Sequence, residues 1–324
     1  MKAILCSHYC QPEDLVLADI SDPVAEAGQV VIAIKATALN FFDLLMIQGK
    51  YQMKPPFPFS PGAEVAGVIE SVGAGVTDLR PGDRVMASCS HNGAREKIAL
   101  PAKSMVKIPD HLDFDRAAGI TIIYGTALHA LEDRARPKPG ETLAVLGAAG
   151  GTGLAACEIG KLMGLKVIAC ASSDDKLGFA KAHGAELTLN YAKEDLKEGL
   201  RKRTGGKGVD IVFDPVGGSY AEAALRAIAW EGRFLVIGFA AGDIPKMPLN
   251  LALLKGCDIR GVFFGAWTQL NPEQNRAHLE KLVKWAAEGK ISSHVDRTFP
   301  LAQTAEALKV LAGRKAMGKL ILHP

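Results

Sequence analysis

From Glu141 onward, short apolar segments alternate with amphipathic ones, and few folds accommodate that alternation. Thr142 to Gly147, Lys166 to Ala171, Glu186 to Asn190, Val209 to Asp214, Arg233 to Gly238 and Asp258 to Gly265 each read as a strand. Between the first two, Leu154, Cys157, Ile159 and Leu162 recur at helical spacing over Gly153 to Met163; further helices are expected from Asp174 to a stop at Gly184 and from Asp195 to Arg203. Strands joined by helices stack as right-handed βαβ units, and six of them complete a doubly wound parallel sheet.

The first 122 residues have a different texture. Val30 to Asn40, Glu64 to Gly73 and Asp83 to Ser88 are β-branched runs broken by Pro-Gly turns, which predicts an irregular antiparallel barrel or sandwich. The last stretch offers two helical segments and a closing strand, KLILHP, too little for a third domain, so the chain is expected to return to the first one. The expected layout is residues 1–122 and 264–324 as one domain, with residues 123–263 inserted as the other. A length of 324 residues suits two domains, and 48% hydrophobic with 23% charged residues excludes disorder as the main state. A net charge of +3 without long basic runs argues against nucleic-acid binding. Six scattered cysteines fit neither a disulfide framework nor a zinc ribbon, and no stretch resembles a secretory leader or a membrane span. The expected protein is soluble and cytoplasmic.

At the end of the first βα strand stands Gly147-Ala-Ala-Gly-Gly-Thr-Gly153, followed by a helix, which is the context a dinucleotide fingerprint requires. Aligned as Ala148-x-Gly150-x-x-Gly153, it places Ala at the tight-turn position, Gly150 where backbone must approach a pyrophosphate, and Gly153 where helix packs on strand. Ala149, Gly151 and Thr152 complete the cradle at the positive end of the helix. An NAD site carries a carboxylate at the tip of the second strand. Here the tip is Ala171-Ser172-Ser173, with Lys176 one turn on, so a 2′-phosphate meets hydroxyls and a positive charge, and NADP(H) is the expected cofactor. The alternative is that Asp174 or Asp175 reads the ribose, although in Ser-Ser-Asp-Asp they suit the N-cap and first helical turn.

Asn40-Phe-Phe-Asp43, Gln48-Gly-Lys-Tyr51, Pro61-Gly-Ala-Glu64-Val-Ala-Gly67, Pro81-Gly-Asp-Arg-Val85, the glycine turn and Gly318-Lys319-Leu together resemble the medium-chain dehydrogenase/reductase superfamily. The resemblance runs end to end and is greatest to its zinc-free quinone oxidoreductase, or zeta-crystallin-like, branch. It implies an α/β protein: a GroES-like β-rich catalytic domain plus an inserted Rossmann domain, with the cofactor in the cleft between them. Zinc-dependent relatives carry Cys where this chain has Leu39-Asn40 and His where it has Ala63, and their four-Cys lobe is reduced here to Cys89, followed by His91; no metal is expected.

The resemblance implies hydride transfer to a quinone or enone, which needs placement, a dry pocket and donors aimed at the developing oxyanion rather than a Lewis acid. It puts Asn40 beside the nicotinamide and Tyr51 within reach of the substrate, where Tyr51 is otherwise a loop aromatic; Asp43 orients these groups or caps the next helix. Carried-over cofactor contacts are Thr126, Tyr191, Gly238, Phe239, Phe263 and Lys319, with Asp214 to Gly217 at the end of strand four. Phe263 and Phe264 are expected on the sixth strand, an apolar sheet edge that predicts a homodimer. Two other readings stay open: an enoyl-thioester reductase with Tyr51 as proton donor, and an NADPH-binding protein with little turnover.

Overall fold

The computed structural model describes residues 1–324, which form two compact units: Met1–Ile122 with Leu279–Pro324, and Ile123–His278. No helix is long and apolar enough to cross a membrane.

The first unit is built around the strand Gln29–Leu39, eleven residues long and bent by two register shifts. Its first half pairs with Lys97–Pro101 and its far end with the closing strand Lys319–His323, while Glu64–Val72 lies along its length. Arg84–Ser88 and Met105–Lys107 extend the sheet on one side. Val30, Ile32, Ile34, Val65, Ile69, Val85 and Ile98 fill the core, the inward set of alternating strands. The approach of the central pair explains Gly67: a Cβ there would lie 2.2 Å from the Ala33 carbonyl oxygen. The register matters for function, because Leu320 opposite Leu39 and Glu64 opposite Ala38 set Lys319, Asn40 and Glu64 at one corner.

The second unit holds a six-stranded parallel sheet in the spatial order Leu187–Asn190, Lys166–Ala171, Thr142–Leu146, Val209–Asp214, Ile228–Val236, Asp258–Gly261. In sequence terms this is 3-2-1-4-5-6, the doubly wound order with its switch point between the first and fourth strands. Buried Ile168, Val212, Leu225 and Phe234 belong to a core on one face of that sheet.

Three expectations change. The sixth strand stops at Gly261, and Phe263 and Phe264 stand instead at the start of a helix, Phe264–Leu270. That helix lies on its own unit: the Phe264 ring fills the space left by Gly125, where a Cβ would come within 2.5 Å, and Trp267 stacks on His129 at 4.1 Å. These contacts keep residues 264–278 with the parallel sheet rather than with the first unit. The C-terminal stretch contains the helices Pro272–Ala287 and Thr304–Ala312 and also a strand not anticipated, Val295–Pro300, which pairs in parallel with the closing strand.

Candidate functional site

In the parallel-sheet unit, the glycine turn is shaped by Gly147, not by the residue after it. Gly147 adopts φ +60°, a left-handed conformation, while Ala148 is fully buried with ordinary backbone; the tight-turn role assigned to Ala148 belongs one residue earlier. Gly150 is the N-cap of the helix Gly151–Leu162. A Cβ on Gly153 would sit 2.4 Å from the Gly147 carbonyl oxygen, so only glycine lets helix and strand meet there. A Cβ on Gly150 meets nothing closer than 3.4 Å, so its absence leaves open space beside the helix N-terminus. The N–H groups of the first turn have no partners within the helix, and they suit an anion.

At the tip of the second strand, Ser173 caps the helix Asp174–Ala182, its Oγ accepting the Lys176 N–H at 3.4 Å. Asp174 is fully engaged: one oxygen accepts from Asn190 Nδ2 at 2.7 Å, the other from Lys193 Nζ at 2.5 Å. Those hydrogen bonds, Lys193 first, hold its carboxyl below the usual range. Lys193, paired with Asp174 beside the tip, is a charge the sequence did not single out. Tyr191 follows the third strand and packs on Tyr220, ring centres 4.4 Å apart. Asp214 ends the fourth strand buried, both its contacts being N–H groups of its own turn, Val216 and Gly217, at 2.8 Å. Thr126 is buried in the helix Ile123–Leu128, whereas Phe239 and Phe263 are exposed.

In the first unit, the corner set by strand register carries a closed polar cluster. Lys319, buried, gives its three ammonium protons to Leu39 O at 3.0 Å, Asn40 Oδ1 at 2.8 Å and Glu64 Oε1 at 2.6 Å. Asn40 Nδ2 donates to the same Glu64 oxygen at 3.0 Å, and Glu64 Oε2 accepts from Thr121 Oγ1 and the Ile122 N–H at 2.7 and 2.9 Å. Asp43 takes the capping alternative, accepting the Asn40 N–H at 2.7 Å at the helix start, and it also accepts the Gly62 N–H at 3.0 Å. Burial raises its pKa to about 7, against the pull of those two donors and of Lys319. Tyr51 stacks on Phe42, ring centres 5.1 Å apart; burial first, and then the Asp43 charge, push its phenol upward, so it stays protonated at neutral pH. Asn40 and Tyr51 both lie in this unit. Glu64 as a buried counter-charge and Thr121 went unforeseen, and Lys319, expected at the cofactor, is spent inside the cluster.

Two family models match, the GroES-like domain of alcohol dehydrogenases over residues 26–110 and the zinc-binding dehydrogenase domain over residues 151–286. A quinone oxidoreductase-like protein 2 homolog from Nematostella vectensis is 36% identical over 326 residues, covering 99% of this chain and 88% of its own. Human quinone oxidoreductase is 33% identical, with 99% and 97% covered. The solved structure of Escherichia coli quinone oxidoreductase complexed with NADPH superposes with a TM-score of 0.93 at 28% identity, covering both chains completely. The chain belongs to the quinone oxidoreductase branch of the medium-chain dehydrogenase/reductases. It is an oxidoreductase with a GroES-like domain and a Rossmann domain.

One family model is named for zinc, and the donor set of this quinone oxidoreductase family member does not fit that ion. Ala63 has no ligand atom, Asn40 has both ends of its amide engaged, and Glu64 is paired with an ammonium. Nowhere do three His, Cys, Asp or Glu side chains converge with metal-binding geometry.

Proposed function

We propose that this enzyme reduces a quinone or enone with NADPH and without a metal. The observation that carries the reading is the Lys319 ammonium locked between Asn40 and Glu64: it occupies the oxygens a metal ion would need there and leaves the second Asn40 amide N–H as a donor for an oxyanion. The nicotinamide, when bound, supplies a hydride to an electron-poor acceptor. The chain's own work is polar and positional. Asn40 retains one amide N–H beyond its bond to Glu64, and Tyr51 holds a proton that it can donate to the acceptor as negative charge develops.

Preference for NADPH follows from the tip of the second strand, where Ala171 brings no carboxylate, Asp174 is paired with Asn190 and Lys193, and Ser172 and Lys176 can meet a 2′-phosphate. The first-turn groups Gly151, Thr152 and Gly153, with Ala149, Gly150 and the strand-end residues Tyr191, Gly238 and Phe239, complete the cradle; Thr126 and Phe263 remain cofactor contacts in this reading, and Lys319 becomes a positioning residue. A homodimer through the Asp258–Gly261 edge is part of the same proposal, because the neighbouring helix Leu249–Lys255 exposes Leu249, Leu253 and Leu254, and Trp230 is 69% exposed. Light scattering should report two chains per particle. Six free cysteines, with Cys6 and Cys10 sharing a thiol hydrogen bond at 3.8 Å rather than a disulfide, support residence in a reducing cytoplasm.

The test is steady-state oxidation of NADPH against a panel of quinones, enones and crotonyl-CoA, with metal content measured on the same preparation. Turnover of quinones or enones with less than one metal ion per ten chains supports the reading. Tight NADPH binding with no acceptor reduced, or activity that follows zinc content, overturns it.

A further inference from the structure

In the first unit, residues 89–95 are laced to the stretch that leads into Glu64. Cys89 and Ser90 both donate their N–H groups to Ala63 O, Asn92 donates to Ser60 O at 2.7 Å, Gly93 to Gly62 O at 2.7 Å and Ala94 to Pro61 O at 2.8 Å. Two residues of this loop, Ser90 at φ +65° and Asn92 at φ +70°, hold left-handed backbone that non-glycine residues rarely adopt. Such strain persists only where the surroundings fix it, and it concentrates at functional sites.

Arg95 closes the loop, and its charge has no counterpart. Its Nη2 donates to Ser60 Oγ at 3.0 Å and Asn92 Oδ1 at 2.5 Å, both neutral oxygens, and no carboxylate forms an ion pair with it. Its Nε is buried with no hydrogen-bond partner, and so is Nδ1 of His91 in the same loop. Arg95 as a whole is half-buried, but its Nε is fully buried, and a buried N–H group is ordinarily bonded because it otherwise forfeits its hydration. A half-buried guanidinium with no carboxylate partner and an orphaned Nε, beside an imidazole whose Nδ1 can donate in one tautomer, describes a site with a place for one negative charge and its acceptor oxygens. A single cation calls for a monoanion rather than a phosphate dianion, and a planar guanidinium matches a carboxylate.

We propose that Arg95, with Ser60, His91 and Asn92 around it, binds the carboxylate of the acceptor, so that the substrate class is a conjugated carbonyl compound carrying a carboxylate group. The inference deepens the quinone or enone reading and rests on it for the reaction, but the anion site can be tested without turnover. Burial and the Arg95 charge lower the His91 pKa, so at neutral pH the imidazole is uncharged and adds a hydrogen bond rather than a second positive charge.

The kinetic arm compares a 1,4-benzoquinone bearing a propanoate side chain with its methyl ester. The wild type should favour the acid in kcat/KM by about 10- to 100-fold, the range expected of a hydrogen-bonded charge pair. Arg95→Gln should bring the acid-to-ester ratio close to one, and Arg95→Lys should keep part of it. A wild type that does not distinguish acid from ester, or a ratio unmoved by Arg95→Gln, overturns the proposal. The binding arm titrates benzoate and benzamide into the cofactor-free protein. Benzoate should bind the wild type, weaken at least tenfold in Arg95→Gln and recover partly in Arg95→Lys, whereas benzamide should bind none of them. If neither quinone is reduced yet benzoate follows this pattern, the acceptor class fails and the anion site stands; benzoate binding that ignores Arg95 overturns the site whatever the kinetics.

Discussion

Lys319→Met should destabilise the first unit far more than the loss of a surface lysine would. Methionine preserves most of the side chain's length, so packing along Gly119, where the Lys319 Cγ lies 3.1 Å from the site of a Cβ, is largely kept. What disappears is the ammonium 2.6 Å from Glu64, in a pair whose side chains are 2% and 0% exposed. Glu64 would retain donors from Asn40, Thr121 and Ile122 but no opposite charge, while Leu39 O and Asn40 Oδ1 would each lose a donor. Breaking a buried pair from one side costs about 3–5 kcal/mol, a large part of the roughly 5–15 kcal/mol that holds a domain folded. The double variant Lys319→Met with Glu64→Gln removes the stranded charge and should recover more than half of that loss. The assay is native-state hydrogen exchange at Leu39, Ala66 and Leu320, amides in the strands that meet at this corner. Protection should fall by roughly two to three and a half orders of magnitude in the single variant and rebound in the double. A single variant that loses less than about 1 kcal/mol, or a double variant no more protected than the single, would show that the pair does not hold the corner together.

Three further outcomes are expected. Lys176→Ala should weaken NADPH by several-fold to tenfold with little effect on NADH, and Ala171→Asp should move the preference toward NADH, read as the ratio of kcat/KM values at fixed salt; a wild type that prefers NADH refutes the phosphate argument. The Asp43 carboxyl should titrate near pH 7 by carbon-13 NMR. Since its folded pKa lies above its unfolded one, its contribution to stability is fully present below about pH 4 and is lost as pH rises through 7, and a carboxyl midpoint under 5 contradicts the burial argument. Tyr51→Phe should slow crotonyl-CoA reduction by at least about 100-fold if the phenol supplies the proton, and should slow a quinone much less; equal effects on both would remove Tyr51 from the proton path.

How much of this was legible in sequence depended on how local the cause was. The glycine turn and the six βα strands were readable because each is decided within about ten residues; even there, only the backbone assigns the left-handed turn to Gly147. Phe263 and Phe264 misled because a short apolar run fits a strand or a buried helix equally, and it was packing on Gly125 and His129 that selected helix. Val295–Pro300 escaped notice because an edge strand containing Asp, Arg and Pro, with every residue half-exposed or exposed, lacks an alternating apolar face. The charged residues were the least legible. Glu64 and Lys319 are separated by 255 positions and meet only because two strand registers coincide on Gln29–Leu39. Arg95 presents the converse case, since its sequence neighbours Glu96 and Lys97 suggest an ordinary solvated run, and Lys97 does pair with Asp22 and Glu70. A charged side chain takes its meaning from the dielectric around it and from the partner it finds. A basic side chain therefore serves as a surface ion pair at Lys97, a structural tie at Lys319 and, without a counter-charge at Arg95, a proposed place for an anionic ligand; only the fold distinguishes the three.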